Sequence, residues 1–457
     1  MTTHNGIARR QLTPKQSHVQ TSTHNSLLLK RSLNAVWHPC TQMKQHETLP
    51  LIPVARAAGC WLYDFDGKRY LDAVSSWWVN LFGHGNAHIN AALRDQLDTL
   101  EHAMLAGFTH EPVVALSERL AALTGNQLGH CFYGSDGASA VEIALKMSFH
   151  FWRNSGRPAK TNFVSLKGSY HGETLGALSV TDVALFKDTY APLLRVSAQV
   201  QSPDWRLAQA GESPRDYALR SAANLAAHLE QHHATTAALI VEPLVQGATG
   251  MAMYDAAYLS EARALCSRYQ VHLIADEIMT GFGRTGTFFA HEQAGIVPDF
   301  LCLSKGITGG YLPLSVVMTT DTVYAAFYDD SSARGFLHSH SYTGNALACR
   351  AALATLELFD KNKITQSNQI LGKKILHACA GIASHPRVKN FRHTGMIWAF
   401  EVDTADPAFA HTFHQRALEK ELLLRPISNT VYFMPPYVIN AEEIALLTHR
   451  TLELLNS

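Results

Sequence analysis

The sequence lacks an excess of either charge. Its 38 lysines and arginines balance 38 aspartates and glutamates, so the formal net charge is zero. Such a balance produces no overall field that would attract nucleic acid or an anionic membrane surface. Charged residues make up only 17% of the chain and hydrophobic residues 47%, which is typical of a compact globular protein. We therefore expect small molecules as substrates and no nucleic-acid partner.

Long apolar runs are missing as well. No stretch approaches the roughly 20 apolar residues that a membrane helix needs, and the N-terminus has no apolar signal core. We expect no membrane association and a cytoplasmic location. At 457 residues the chain exceeds the size at which a single core usually keeps growing, so two packed lobes are expected.

Patterns that form disulfides or bind metals are absent from the sequence. The cysteines are scattered, odd in number and never in a C-x-x-C pair, which argues against a disulfide framework or a zinc site. They are Cys40, Cys60, Cys131, Cys266, Cys302, Cys349 and Cys379. The pairs His84/His88 and His411/His414 lack the H-E-x-x-H context of a metal site. We expect no metal and a reducing compartment.

The N-terminal segment differs in composition from the rest. Residues 1–30 are polar and lack helical or strand periodicity before the leucines, which favours a disordered extension. Three basic residues before position 16, without any acid, leave a targeting peptide as a lesser alternative. We expect residues 31–85 to form the N-terminal part of a small domain, 86–344 a large domain and 345–457 the C-terminal part of the small domain.

Short apolar segments predict the fold class. Around residues 50–75 the pattern is that of strands, with Asp66 and Gly67 as a two-residue hairpin turn. After residue 87 helical segments alternate with the strands HCFYG, TNFVSLKG, AALIVEP, VHLIADEI and FLCLSKG. Such alternation predicts a mostly parallel sheet with helices on both faces, the α/β class.

Two of these strands end in residues that carry chemistry. VHLIADEI ends in Asp276 and Glu277, and FLCLSKG ends in Lys305. Open α/β sheets bind ligands at the carboxyl ends of their strands. A lysine that forms an imine and a carboxylate that keeps a pyridine nitrogen protonated are the groups that pyridoxal phosphate (PLP) requires. Each residue alone is more often a helix cap, a surface charge or a solvated loop lysine.

A strand-turn-helix junction, YGSDGASAVEIALKM, offers a phosphate site. Ser135, Asp136 and Gly137 precede an amphipathic helix, and free N–H groups with the positive end of the helix dipole attract phosphate. The apolar side of that helix carries Ala140, Val141, Ile143, Ala144 and Met147. The alternative is an ordinary helix capped by Ser135 or Asp136.

Two further motifs leave alternatives open. In KGSYHGET, Tyr170 and His171 follow a strand, where an aromatic ring could stack on a flat cofactor; the alternative for Tyr170 is a core tyrosine. Residues 281–286 (GFGRTG) match the dinucleotide pattern G-x-G-x-x-G. The segment that follows is too short for a crossover helix, so we disfavour a dehydrogenase.

Taken in order, GSDGASAVE, SYHGET, IVEPLVQG, IADEIMTGFGRTG, LSKGITGG and HSYTGN resemble the class III (ω-type) aminotransferases from about residue 35 onward. The resemblance implies the PLP-dependent transferase fold of type I. In that fold a mostly parallel large domain is joined by a smaller α+β domain built from the N- and C-terminal segments. It also implies PLP as the cofactor.

The resemblance assigns roles to particular residues. It implies Lys305 as the Schiff-base lysine and proton shuttle, Asp276 as the partner of the pyridinium nitrogen and Tyr170 as the stacking aromatic. Its phosphate-binding segment corresponds to Ser135, Asp136, Gly137 and Ala138. Ser341 stands where the family commonly has a phosphate-binding threonine from the other subunit, which implies a homodimer with shared active sites.

Three segments resemble one branch of that class. WHPCTQM, SSWWVN and LLLRPISNTVYFMPPYVI are similar to enzymes of biotin biosynthesis that transfer the amino group of S-adenosylmethionine to 8-amino-7-oxononanoate. The branch implies that Arg425 grips a substrate carboxylate and that Trp77, Trp78 and Tyr432 line the substrate pocket.

The sequence departs from the branch at one position near the substrate. Cys40 stands where the motif often has tyrosine, which puts donor recognition in doubt. The alternatives are therefore an ω-aminotransferase that uses lysine, a diamine or a β-amino acid, and a non-catalytic protein of the same fold that acts as a regulator or scaffold.

Overall fold

The computed structural model describes residues 23–457, which form two compact units. The first unit contains residues 23–56 and 63–69, and the second contains residues 57–62 and 70–457. These boundaries differ from the division expected at residues 86 and 345, which stays a prediction.

The first unit begins with helix α1 (Thr23–Ala35). In it Asn25 Nδ2 donates a hydrogen bond to Asp66 Oδ2 at 2.6 Å. The expectation of a disordered extension is therefore wrong for residues 23–30, and its remainder, residues 1–22, lies outside the described residues. The hairpin prediction is also wrong in detail. The backbone N–H of Asp64 bonds to the carbonyl of Lys68, so the turn encloses three residues, with Gly67 in the left-handed region at φ 83°.

The first three strands are β1 (Val54–Ala58), β2 (Trp61–Asp64) and β3 (Arg69–Asp72). The remaining strands are β4 (His130–Gly134), β5 (Asn162–Leu166), β6 (Ala198–Val200), β7 (Thr236–Val241), β8 (Val245–Gln246), β9 (Ala252–Met253), β10 (His272–Asp276), β11 (Phe300–Leu303), β12 (Ser315–Thr319), β13 (Val388–Thr394), β14 (Ile397–Val402), β15 (Leu422–Leu423) and β16 (Thr430–Phe433).

The helices after α1 include several single turns and one four-residue left-handed turn, α2 (Ser75–Trp78). The others are α3 (Ala87–Leu97), α4 (Glu111–Leu123), α5 (Gly137–Asn154), α6 (Leu175–Val180), α7 (Ala184–Lys187), α8 (Pro214–His232), α9 (Ala257–Arg268), α10 (Asp321–Ala325), α11 (Ala346–Lys361), α12 (Ile364–Ala378), α13 (Ala380–Ala383), α14 (Phe409–Glu419) and α15 (Ala441–Leu455). No helix within residues 23–457 has both the length and the apolar character that crossing a membrane demands.

The central sheet has seven strands in the order β4-β12-β11-β10-β7-β5-β6. Strands β11, β10, β7, β5 and β6 run parallel, and β12 is antiparallel to both β11 and β4. Every residue of β7, β10 and β11 is buried, because helices cover both faces of a parallel sheet. The predicted α/β sheet is confirmed, and its carboxyl edge carries Asp276 and, directly after β11, Ser304 and Lys305.

The GFGRTG segment, residues 281–286, forms a turn that contacts two other loops through Arg284. Arg284 is buried and donates hydrogen bonds to the carbonyls of Pro435 and Asn80, each at 3.0 Å. A short 3₁₀ segment, Ala290–Ala294, follows. Since no crossover helix begins there, the dinucleotide alternative has no helix terminus on which to bind a pyrophosphate.

The C-terminal residues form a second sheet, and one short C-terminal strand pairs with β3. Strands β13, β14 and β16 form an antiparallel sheet. Strand β15 pairs in parallel with the end of β3, with Leu422 opposite Leu71 and Leu423 opposite Asp72. Residues about 350 positions apart in the sequence are thereby held side by side.

Candidate active site

A cavity of about 460 Å³ opens at the carboxyl edge of the central sheet. It brings together most of the residues that the sequence singled out. Those lining it are Trp78, Ser135, Asp136, Gly137, Ala138, Tyr170, Asp276 and Lys305, joined by His171, Glu242, Ser304 and the segment 310–314. A cavity of this size suits a small cofactor with its substrate.

Helix α5 begins at the cavity. Asp136 is its N-cap, and the carboxylate accepts hydrogen bonds from Ser139 N at 2.9 Å and Ser139 Oγ at 3.1 Å. The capping interpretation is confirmed, and the phosphate site stays a prediction with which the cap is compatible, because capping satisfies one amide and leaves others in the first turn for an anion. Gly137 packs against Ile278, which an added Cβ would approach to 3.0 Å.

Asp276 is paired with a histidine. Its Oδ2 lies 2.7 Å from His171 Nδ1, and its Oδ1 accepts a hydrogen bond from Ile278 N at 3.2 Å. Both side chains are buried, and because a carboxylate can only accept, His171 Nδ1 is assigned as the donor. His171 Nε2 has no hydrogen-bond partner among residues 23–457. Sequence reasoning noted His171 but gave it no role.

Tyr170 is fixed by hydrogen bonds from its backbone N–H and from its side-chain hydroxyl. Its backbone N–H donates to Glu242 Oε2 at 2.9 Å, and its hydroxyl donates to Glu173 Oε1 at 2.8 Å. The ring meets Phe186 edge-on, with centroids 5.3 Å apart. Tyr170 is half-buried, so the alternative of a core tyrosine does not describe it.

Glu242 is a cavity residue that the sequence analysis missed. It follows β7 directly, and its Oε1 also accepts a hydrogen bond from Gly247 N at 2.9 Å. Burial raises the pKa of Glu242 to about 7, against the opposing effect of His171 and the Tyr170 N–H. The signal was present in AALIVEP, because the rule that selected Asp276 also applies to a carboxylate at the end of this strand.

Lys305 faces the same carboxylates. Burial lowers the pKa of its amine, while the charges of Asp276 and Glu242 act in the opposite direction. A lowered pKa increases the share of neutral amine, which is the form that acts as nucleophile and base. Lys305 Nζ lies 5.3 Å from the centre of the Trp78 ring, and the Lys305 backbone adopts φ 45°.

The left-handed turn α2 presents the two tryptophans differently. Trp78 is buried and lines the cavity, and its Nε1 donates a hydrogen bond to the Tyr432 hydroxyl at 3.1 Å. Burial raises the pKa of Tyr432 to about 12, so the phenol stays protonated. Trp77 is 43% exposed, and the Arg425 guanidinium carbon lies 4.9 Å from the centre of its ring. Tyr432 thus contacts the cavity-lining Trp78, whereas Arg425 contacts Trp77, and neither Trp77 nor Arg425 lines the cavity.

Ser341 and Glu277 also lie outside the cavity lining. Ser341 is exposed and lies outside the cavity, and its carbonyl is 2.9 Å from His102 Nε2. Glu277, beside Asp276, is fully buried and accepts hydrogen bonds from the backbone of Ala290 and His291 and from His291 Nδ1. Its role is to hold that loop, so only Asp276 of the pair faces the cavity.

Comparisons with known proteins identify the family. The family model described as aminotransferase class-III matches residues 42–455. The chain is 47% identical to the adenosylmethionine-8-amino-7-oxononanoate aminotransferase of Helicobacter pylori, over 93% of this chain and 96% of the relative. A second relative of that name, from Geobacter sulfurreducens, is 39% identical over 90% of this chain and 93% of its own length.

A solved structure agrees with the sequence comparison. The crystal structure of the enzyme of that name from Methanocaldococcus jannaschii superposes with a TM-score of 0.88 at 34% identity, covering 94% of this chain and 99% of that one.

The cavity residues fit PLP. The cavity contains a lysine and a buried carboxylate at neighbouring strand ends, an aromatic side chain, and a helix N-terminus surrounded by small residues. These are the groups that this cofactor needs. Gly172 leaves room for this packing, since a Cβ there would lie 2.6 Å from that of Ala138. The match of the family model to residues 42–455 and the identity to relatives over nearly the whole chain show that this protein belongs to the class III aminotransferases, PLP-dependent enzymes of fold type I.

Proposed function

We propose that this protein transfers the amino group of S-adenosylmethionine to 8-amino-7-oxononanoate, which gives 7,8-diaminononanoate in biotin biosynthesis. The observation that carries the proposal is the 47% identity, over 93% of the chain, to a relative that bears the name of this reaction. The pair Trp78–Tyr432, with Trp78 beside Lys305, and the pair Trp77–Arg425 on the same turn support the same substrates.

The cavity residues divide the work of the reaction. PLP supplies the electron sink that accepts the electron pair left when a proton leaves the substrate carbon. Lys305 Nζ would hold the cofactor and would move that proton to and from the substrate carbon. Asp276, fixed by His171, would keep the pyridine nitrogen protonated, and Tyr170 would provide the aromatic face for the ring. The first-turn amides of Gly137 and Ala138, with Ser135, bind the phosphate, while Asp136 caps the helix.

The tryptophan turn and Arg425 recognise the substrates. The aromatic faces of Trp77 and Trp78 suit the adenine ring or the sulfonium cation of the donor. The planar guanidinium of Arg425 suits the carboxylates that both substrates carry. Tyr432 fixes the orientation of the Trp78 indole through the hydrogen bond to Nε1.

We further propose a homodimer in which Ser341 of each chain completes the phosphate site of its partner. Ser341 is exposed and lies outside the cavity of its own chain. Four apolar side chains of the two segments that meet here, residues 102–110 and 337–344, are more than half exposed: Met104, Phe108, Leu337 and Tyr342. Hydrogen bonds join the two segments, from His102 to the carbonyl of Ser341 and from His110 to the carbonyl of Gly344. An exposed apolar surface of this kind favours association.

We also propose a cytoplasmic location. Six cysteines, Cys60, Cys131, Cys266, Cys302, Cys349 and Cys379, are thiols within the fold. Reduced thiols are typical of a reducing compartment.

A donor test distinguishes the candidate functions. The visible absorbance of the PLP-loaded protein is followed while S-adenosylmethionine, lysine, diamines and β-alanine are added separately. We expect loss of the absorbance with S-adenosylmethionine and its recovery on addition of 8-amino-7-oxononanoate. Loss with another donor alone would support the ω-aminotransferase alternative, and no response to any donor would support a regulator or scaffold.

A further inference from the structure

The turn that carries the two tryptophans has a backbone that needs outside support. Ser75, Ser76, Trp77 and Trp78 have φ values of 51°, 46°, 71° and 74°. Residues with side chains rarely adopt this left-handed region, and a run of four is unusual. Contacts outside the turn must therefore determine its shape.

Asp72, the last residue of β3, supplies the main contact. Its side chain is completely buried. Oδ1 accepts a hydrogen bond from Ser76 N at 2.8 Å, and Oδ2 accepts one from Ser76 Oγ at 2.7 Å. One carboxylate thus holds both the backbone and the side chain of the residue in the middle of the turn.

His84 and Asn80 complete the support. His84 Nε2 lies 3.0 Å from Asp72 Oδ2, and Asn80 Nδ2 lies 3.1 Å from His84 Nδ1. Because Asp72 can only accept, His84 Nε2 is the donor. The backbone of His84 is fixed by two hydrogen bonds with Gly59. The carboxylate is therefore itself immobilised.

We propose that Asp72 is a specificity-determining positioning residue that acts through Ser76 to hold Trp77 and Trp78 in their binding orientation. Asp72 is completely buried and does not line the cavity, so it acts through the turn that it holds. The inference rests on the proposed role of the tryptophans in substrate binding. It predicts that loss of the Asp72 contacts weakens binding of the amino donor and leaves the lysine-bound cofactor unchanged.

The test uses Asp72→Asn in the PLP-loaded protein. The amide oxygen can still accept from Ser76 N, but the amide nitrogen cannot accept from Ser76 Oγ or His84 Nε2. We expect the apparent dissociation constant of S-adenosylmethionine, measured by titrating the visible absorbance, to rise about tenfold, with an unchanged spectrum before donor is added. Asp204→Asn is the matched control, since Asp204 is also buried and accepts from a backbone N–H, that of Arg206, outside the cavity.

A double-mutant cycle separates this role from general destabilisation. In a Trp77→Ala/Trp78→Phe background, Asp72→Asn should change the dissociation constant less than about twofold, because the residues through which it acts are gone. An equal loss in both backgrounds would overturn the proposal. If Asp72→Asn does not fold, Ser76→Ala removes one of the contacts, and the same cycle with it decides the question.

Failure of the proposed function is distinguishable from failure of this inference. If S-adenosylmethionine does not convert the wild-type protein, the proposed substrate is wrong, and the cycle is run with the donor that does convert it. Coupling between Asp72 and the tryptophans then still supports the positioning role, and its absence refutes it.

Discussion

Asp276 and His171 form a buried pair beside the cavity. A hydrogen bond to a charged partner is worth about 1.5–3 kcal/mol. We predict that His171→Ala lowers kcat about 10- to 100-fold, since Asp276 then loses the donor that fixes its orientation. His171→Asn is the control, because its amide nitrogen can lie near the position of Nδ1 and should restore much of the rate. An unaffected kcat in His171→Ala would remove His171 from the site.

Glu242 should make the stability of the protein depend on pH. Its pKa is raised from 4.5 to about 7 by burial, so the folded state binds a proton that the unfolded state releases. The resulting stabilisation is fully present below pH 4.5, declines as the pH rises and is lost above about pH 7. The shift corresponds to about 3 kcal/mol.

Urea unfolding of the wild-type protein and of Glu242→Gln at pH 5 and pH 8 measures this effect. The wild type should lose stability relative to the variant between the two values. A difference between the two proteins that stays constant with pH would contradict the prediction.

Arg425 lies against Trp77 and has an exposed side chain. We predict that Arg425→Ala weakens the binding of carboxylate substrates about tenfold or more, because a charged hydrogen-bond donor is lost. The visible absorbance of the bound cofactor should persist, since Lys305 is untouched. Lys305→Ala is the contrasting variant and should lose both that absorbance and turnover. An unchanged KM for the keto substrate would exclude Arg425 from the pocket.

Among the secondary-structure elements, the N-terminus of α5 should affect both the stability of the fold and the binding of PLP. Removal of an N-cap costs about 1 kcal/mol. We predict that Asp136→Ala lowers the free energy of unfolding by this amount and weakens PLP binding, because Asp136 orders the first turn. Asp136→Asn retains the capping oxygen and should behave like the wild type in unfolding and in equilibrium dialysis. If Asp136→Ala has the same free energy of unfolding and the same PLP affinity as Asp136→Asn, the prediction is contradicted.

The strands and α5 could be predicted because local sequence determines them. Strands β7, β10 and β11 are apolar throughout, and the apolar side of α5 repeats at helical spacing. Asp276 and Lys305 could be selected as candidates because they stand at strand ends, and the resemblance to the class III aminotransferases implied their roles. These elements keep their form because each buries the face that its own sequence makes apolar.

Other elements depend on distant residues and could not be predicted. Nothing in SSWW indicates a left-handed turn, which costs about 1–2 kcal/mol per residue and persists because Asp72 and the Met434 carbonyl bind its serines. Helix α1 has a polar sequence, so its periodicity is weak. The pairing of His171 with Asp276 spans 105 positions.

For the whole molecule, the proposed sharing of active sites predicts complementation. Chains with Lys305→Ala and chains with Ser341→Glu should each be nearly inactive, the second because a carboxylate repels the phosphate. A hybrid of the two would contain one site with both residues intact. We expect it to have about half the wild-type activity, as in the hybrid of Lys305→Ala with wild type. An inactive hybrid would mean that Ser341 serves its own chain.

The pairing of β15 with β3 has a consequence for synthesis on the ribosome. The cavity is lined by residues between positions 78 and 314, whereas Arg425 and Tyr432 stand more than 100 positions later in the sequence. The groups proposed to bind PLP are therefore synthesised before the groups proposed to select the substrate. A chain released before residue 422 would lack the strand that pairs with β3, the tyrosine that binds Trp78 Nε1 and the arginine beside Trp77. Under the proposed roles, synthesis of residues 422–433 is thus the step at which the chain acquires its substrate specificity.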